Sequence, residues 1–187
     1  MDHYIDLTMR RDPEFSLPQL MSALYAKLHR GLVRLKSDQI GVSFPGVDTA
    51  REGLGAVMRL HGDASLLQTL MATDWLSGMR DHLIIGRMAA VPEVHQHRSV
   101  RRVQAQSSPE RLRRRSMKRH GLDADTARKR IPDSAQETLD LPFLRVASSS
   151  TSQTFLFFIE HGTLLPTPVP GQFNTYGLSS KATIPWF

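Results

Sequence analysis

A chain of 187 residues with 40% hydrophobic content is long enough to bury a core, and the absence of cysteine excludes disulfides, thiolate metal sites and any redox argument for an oxidising compartment. The net charge of +6 is local: Arg98 to Arg130 holds 12 of the 24 Lys and Arg residues against three acids, a charge of +9, and leaves 12 basic and 15 acidic residues, −3, to the rest. Such a segment suits a polyanion, and nucleic acid fits arginine-weighted clusters best because guanidinium forks match phosphates and guanine edges.

Met1 to Glu14 contains six charged residues and no apolar run of signal or membrane-spanning length, so a soluble cytoplasmic protein with no membrane partner is expected. Tyr4 to Met9 alternates, with Ile5, Leu7 and Met9 on one side, and predicts a half-buried strand. Ser16 is placed to cap a helix carrying Leu17, Leu20, Met21, Leu24 and Leu28, with Gly31 as its stop. Gln39 to Phe44 and Leu54 to His61 read as strands. Asp63 or Ser65 caps a short second helix through Leu70. Strand-like structure resumes at His82 to Ile85 and again within Val94 to Gln106. The order β-α-β-β-α-β is that of a ferredoxin-like sandwich, a fold shared by many functions.

The second half differs. Ser108-Pro109-Glu110 starts a helix, with a capping hydroxyl, a first-turn proline and an acid at the positive dipole end, and Gly121 stops it. Arg111, Arg114, Arg115 and Lys118 recur at i, i+3, i+4 and i+7 and share one face, with Arg119 beside them. Asp123 caps a further short helix ending at Ile131-Pro132. Short strands are expected at Phe143 to Val146, Thr154 to Ile159 and Phe173 to Tyr176, separated by the polar loop Ser148 to Ser152 and by Pro166 to Gly171. The expected fold class is α+β: a ferredoxin-like domain over residues 1–95, then a C-terminal domain over 96–187 with an arginine-rich helix at about 109–120 and short antiparallel strands.

Like charges at i, i+4 cost an isolated helix tenths of a kcal/mol per pair, so the basic stripe calls for counter-charge, which a phosphate backbone supplies. A merely solvated face is the plain alternative, but such faces mix signs and this one has no acid after Glu110. The wide major groove of DNA accepts such a helix; regular A-form RNA does so only where a helix end or hairpin loop opens the groove.

Of the eight histidines none forms a convincing metal pair, His95 and His97 being H-x-H in a loop without a nearby third ligand. His29 stands out by position. It closes the first helix, where the dipole end and the flanking Lys27 and Arg30 pull oppositely on its proton, and such an imidazole can take a proton near neutral pH; a helix-capping histidine is the plain alternative. Ser148, Ser150 and Tyr176 are individually bland. There is no G-x-S-x-G, Walker loop or H-E-x-x-H, and the carboxylates are too scattered for a two-metal nuclease centre. Cutting without metal favours RNA, whose 2′-hydroxyl is an internal nucleophile.

Five motifs in collinear order specify more. Gly41-Val42-Ser43-Phe44-Pro45, Arg101-Arg102-Val103-Gln104-Ala105, Pro109-Glu110-Arg111-Leu112-Arg113-Arg114-Arg115, Ala127-Arg128-Lys129-Arg130-Ile131-Pro132-Asp133, and Tyr176-Gly177-Leu178-Ser179 with the terminal Pro185-Trp186-Phe187 resemble the repeat-RNA endoribonucleases of type I-F CRISPR systems along the whole chain. The resemblance implies a metal-independent enzyme without cofactor that binds the CRISPR repeat hairpin through its arginine-rich helix and cleaves at the 3′ base of the stem, leaving a 2′,3′-cyclic phosphate. It implies that His29 is the general base toward the ribose 2′-hydroxyl and that Ser148 holds that ribose, with Ser150 and Tyr176 in support. Arg102 and Gln104 match the pair reading base edges low in the stem, and Phe155 the aromatic beneath the closing pair, where an ordinary core phenylalanine is the alternative. Arg114, Arg115, Arg119 and His120 match the helix contacts, and Ser107, Arg111 and Lys118 complete the expected RNA-binding set. Partners implied are pre-crRNA and crRNA and the other subunits of a type I-F crRNA-guided surveillance complex.

The chain departs from the pattern at Lys118, where arginine is common; charge survives there but not a bidentate fork. Two rival functions remain: a non-catalytic hairpin-binding scaffold subunit of a ribonucleoprotein, and a DNA-binding regulator.

Overall fold

The computed structural model describes residues 1–47, 53–93, 95–104, 109–132, 139–147 and 154–187. The elements run β1 (His3–Met9), α1 (Leu17–Leu35), β2 (Gly41–Ser43), β3 (Val57–Gly62), α2 (Ala64–Ala72), a 3-10 turn (Arg80–His82), β4 (Leu83–Ile85), β5 (Ala89–Ala90), β6 (Gln96–Arg98), β7 (Val100–Val103), α3 (Pro109–His120), α4 (Ala124–Arg130), β8 (Phe143–Ala147), β9 (Thr154–His161) and β10 (Ile184–Trp186). The class is α+β. Two compact units form, one from Met1–Val103 with Leu141–Phe187, the other from Gln104–Asp140.

In the larger unit β1 is central because its alternation satisfies both sides: Ile5, Leu7 and Met9 are buried, while Asp6 forms a bidentate pair with Arg59 directly opposite on β3, at 2.7 and 2.9 Å. The sheet order is β2-β3-β1-β4 with every neighbour antiparallel, and β5 also pairs with β1. A second sheet, β7-β9-β8, is antiparallel, and β10 pairs with β6. The β10 strand tolerates Pro185 because it lies in a two-stranded pair, where a missing N–H need not leave a partner unsatisfied.

The helix α1 corrects the expectation drawn from Gly31. It begins as expected, Gln19 Oε1 accepting from both the amide (2.9 Å) and the hydroxyl (2.7 Å) of Ser16, but it continues past Gly31 to Leu35 and ends at Lys36, which adopts the left-handed conformation at φ 53°. A helical glycine costs about 1 kcal/mol against alanine, whereas burying a leucine yields about 1.5–3 kcal/mol. Leu28 and Leu32, one turn apart and fully buried, therefore carry the helix through. Gly31 is itself buried, and a Cβ added to it would lie 3.4 Å from side-chain atoms of Leu70 and Trp75.

A second correction concerns Phe173 to Tyr176, which form a turn rather than a strand. Asn174 Oδ1 accepts from the amides of Tyr176 (2.9 Å) and Leu178 (3.2 Å), and the Gly177 amide donates to the Asn174 carbonyl at 2.8 Å. The carbonyl of Gly177, a residue at φ 70°, then accepts from the Val42 amide at 2.9 Å, which docks the turn on β2. A side-chain amide that closes its own backbone turn outcompetes the strand propensity of the aromatics around it.

Beneath this surface His61 is buried on β3 and hydrogen-bonded to Ser43 Oγ at 2.8 Å. Burial, with a smaller push from Arg59, lowers its pKa to about 3. The unfolded chain takes a proton at this residue as pH falls below about 6.5 while the folded chain refuses it, so stability is full above that pH and is lost on acidification toward 3. Between pH 7 and 4.5 the cost is about 2–3 kcal/mol, at 1.36 kcal/mol per unit. A urea midpoint measured at both pH values should fall, and His61→Gln should flatten that fall.

In the smaller unit α3 and α4 pack on each other, and Arg113 Nε donates to the Ile131 carbonyl at 2.7 Å, fastening the end of α4 to α3. Asp123 caps α4 by accepting from the Thr126 amide (2.8 Å) and hydroxyl (2.8 Å), which holds its carboxyl below the usual range. Among the described residues no helix is long and apolar enough to cross a membrane.

Candidate active site

The site grows from the middle of α1. Because the helix runs on to Leu35, His29 lies more than a turn from the helix end, and the dipole terminus that the sequence reading put beside it is at Lys36 instead. What holds the ring is tertiary. Nδ1 lies 2.8 Å from the Thr175 carbonyl, and the imidazole stacks face to face on Tyr176, with centroids 3.8 Å apart and planes 2° from parallel. A carbonyl can only accept, so Nδ1 carries a proton, and in the neutral imidazole the lone pair is on Nε2. The half-buried ring is thus fixed in orientation and in tautomer, with its basic nitrogen on the edge away from Thr175.

Tyr176 is itself buttressed. Its ring lies 4.9 Å from Phe157 and 6.0 Å from Tyr25, and the buried Tyr25 hydroxyl donates to the Tyr176 carbonyl at 3.0 Å. Burial pushes the Tyr25 phenol well above its ordinary pKa, with the neighbouring Tyr176 adding to the push, so it stays a neutral donor. The aromatic run continues to Arg102 on β7, whose guanidinium sits 4.6 Å over Phe157 and 5.3 Å over Phe155. Strand alternation explains the pairing: Phe155 and Phe157 share one face of β9, and β7 is the neighbouring strand. Phe157 is fully buried while Phe155 is only partly so. The Arg102 Nε is buried and has no hydrogen-bond partner among the described residues.

Of the sequence-derived residues, the structure brings His29, Tyr176, Arg102 and Phe155 into this connected run. Gln104, just past β7, is exposed. In the smaller unit Arg111, Arg114, Arg115, Lys118, Arg119 and His120 are all exposed on α3. Ser107, Ser148 and Ser150 lie outside the described residues. Sequence reasoning passed over the Thr175 carbonyl, Tyr25 and the Asn174 turn; an Asn three residues before a glycine was the available signal for the turn.

His95 and His97 do approach, with their Nε2 atoms 3.2 Å apart, and His95 Nδ1 lies 2.6 Å from the Pro92 carbonyl. Among the described residues no group of three metal-ligating side chains forms.

Comparison with known proteins adds to this geometry. The family model described as CRISPR-associated protein (Cas_Csy4) matches residues 4–187. A protein of Pseudomonas aeruginosa (strain UCBPP-PA14) named "CRISPR-associated endonuclease Cas6/Csy4" is 52% identical over 187 residues, covering all of both chains. One of the same name from Escherichia coli (strain UTI89 / UPEC) is 48% identical over the same span, again all of both chains.

Proposed function

The chain belongs to the Cas_Csy4 family of CRISPR-associated proteins, and from that premise we propose that it is an endoribonuclease that matures guide RNA by binding the CRISPR repeat hairpin and cutting at the 3′ base of its stem. His29 Nε2 takes the proton from the ribose 2′-hydroxyl upstream of the scissile phosphate. The freed oxygen attacks that phosphorus in line, the bond to the 5′ oxygen of the next nucleotide breaks, that oxygen takes up a proton and leaves as a 5′-hydroxyl, and a 2′,3′-cyclic phosphate remains. Ser148 orients the ribose, Ser150 assists, and Tyr176 holds the imidazole. The reaction needs no metal ion, because the nucleophile belongs to the substrate and the base to the protein.

Arg102 and Gln104 read base edges low in the stem, where a good bidentate contact discriminates by about 1–3 kcal/mol, and Phe155 stacks beneath the closing pair. Ser107, Arg111, Arg114, Arg115, Lys118, Arg119 and His120 bind the RNA from the arginine-rich helix side. The antiparallel order β2-β3-β1-β4 supports a ferredoxin-like segment within residues 1–95, with RNA recognition concentrated in 96–187. The protein acts in the cytoplasm with the other subunits of a crRNA-guided surveillance complex.

The observation that carries the reading is the hydrogen bond from His29 Nδ1 to the Thr175 carbonyl, which in the neutral imidazole leaves Nε2 as the oriented acceptor. The test is to incubate the protein with a repeat hairpin in EDTA and determine the fragment ends. A single cut with a 2′,3′-cyclic phosphate is expected. A 3′-hydroxyl end, or cutting only after a divalent metal is restored, would reject the mechanism.

A further inference from the structure

The aromatic run has a direction that the catalytic reading does not use. From Phe155 and Arg102 it passes through Phe157 and Tyr176 to His29, and at that end it meets the outer face of α1. His29, Val33 and Lys36 recur at i, i+4 and i+7 and so line one stripe, with Arg30 and Arg34 alongside. Arg30, Arg34 and Lys36 are exposed, and none makes an ion pair with a described residue. The nearest acid in sequence, Asp38, is engaged by the Gln39 side-chain amide at 2.9 Å. Between the cations Val33 leaves 47% of its surface in water, an apolar spot on an otherwise basic strip. Seven residues of helix span about 10 Å, room for a few nucleotides.

We propose that this strip of α1, from His29 to Lys36, is the track for the single-stranded RNA that continues 3′ of the cut. The inference rests on His29 being the base. With the stem's closing pair on Phe155 and the reacting ribose at His29, the strand leaving the stem runs off the His29 end of the stack, onto Arg30, Val33 and Arg34. Phosphates meet the guanidinium groups and a base covers Val33. The precursor then gains contacts that the trimmed hairpin lacks, and loses them when the downstream fragment is cut free. Arg34 and Lys36 also offset the negative end of the α1 dipole, a role indifferent to RNA length.

Two hairpin RNAs separate these roles, both carrying a 2′-deoxy nucleotide at the cut to block the reaction: one ends at the stem base, the other extends ten nucleotides further 3′. The wild-type protein should bind the extended RNA more tightly at low salt. The double variant Arg30→Ala, Arg34→Ala should lose that advantage, and its log-log salt slope for the extended RNA should fall by about 1.4, at 0.7 per phosphate on a single strand. Its affinity and slope for the stem-only RNA should stay as in wild type. Equal losses on both RNAs, or an advantage that survives in the variant, would overturn the proposal. Failure of the wild-type protein to bind either RNA would instead reject hairpin recognition itself, and the track with it. Lys36 is left unchanged because it forms the left-handed cap that ends α1, where a substitution would also act on helix termination.

Discussion

His29→Ala is expected to bind repeat hairpin RNA within about twofold of wild type and to cut it at least 10²- to 10⁴-fold more slowly, the range that a positioned general base contributes. Binding should survive because the core contacts of α1 are made by the fully buried Leu28 and Leu32, while the half-buried imidazole adds only its stack on Tyr176. A substrate with a 2′-deoxy ribose at the cut should be equally inert with the wild-type protein, since it lacks the nucleophile that the base activates. The decisive measurement is single-turnover cleavage in EDTA with saturating enzyme, which removes binding from the rate. A variant that still cuts within tenfold of wild type would show that the proton goes elsewhere and that the ring stacked on Tyr176 is a structural feature of α1.

Gly177→Ala should be the most damaging single-methyl change near the site. At φ 70° an alanine strains the backbone by about 1–2 kcal/mol, and its Cβ would come within 2.4 Å of Val42 Cγ2 on β2, where a packed strand leaves little room to yield. Together these predict a loss of about 2–4 kcal/mol in urea unfolding. Gly121→Ala is the comparator: that residue has φ 62° but nothing within 4 Å of the added carbon, so it should cost only the backbone part. The consequence reaches catalysis. Shifting Gly177 displaces Tyr176 and the Thr175 carbonyl, the two groups that hold His29, so cleavage should fall further than the folded fraction does. A Gly177→Ala protein that loses no more stability than Gly121→Ala would refute the close packing of this turn on β2.

The Asn174 turn and the His29 cluster also mark where sequence reading stopped. The aromatics around Asn174 suggested a strand, yet the side chain of Asn174 satisfies two amides that a ladder would otherwise need. Gly31 looked like a helix stop because a glycine after a leucine stripe is a common local ending. That rule sees only neighbours along the chain, whereas the burial of Leu32 and the packing of Gly31 on Trp75 come from other elements.

What the sequence determined by itself was local or compositional: the alternation of β1, the caps at Ser16 and Asp123, the concentration of cations over α3, and the collinear motifs that carry the family resemblance. These depend on contacts within a turn or two, or on order along the chain, and so are legible without a fold. The tertiary structure alone decided the tautomer of His29. The carbonyl that fixes it lies 146 positions away, and the tyrosine hydroxyl that steadies Tyr176 is 151 positions from its acceptor. Periodicity and charge show that a histidine is present; only long-range packing decides which of its nitrogens is free to take a proton.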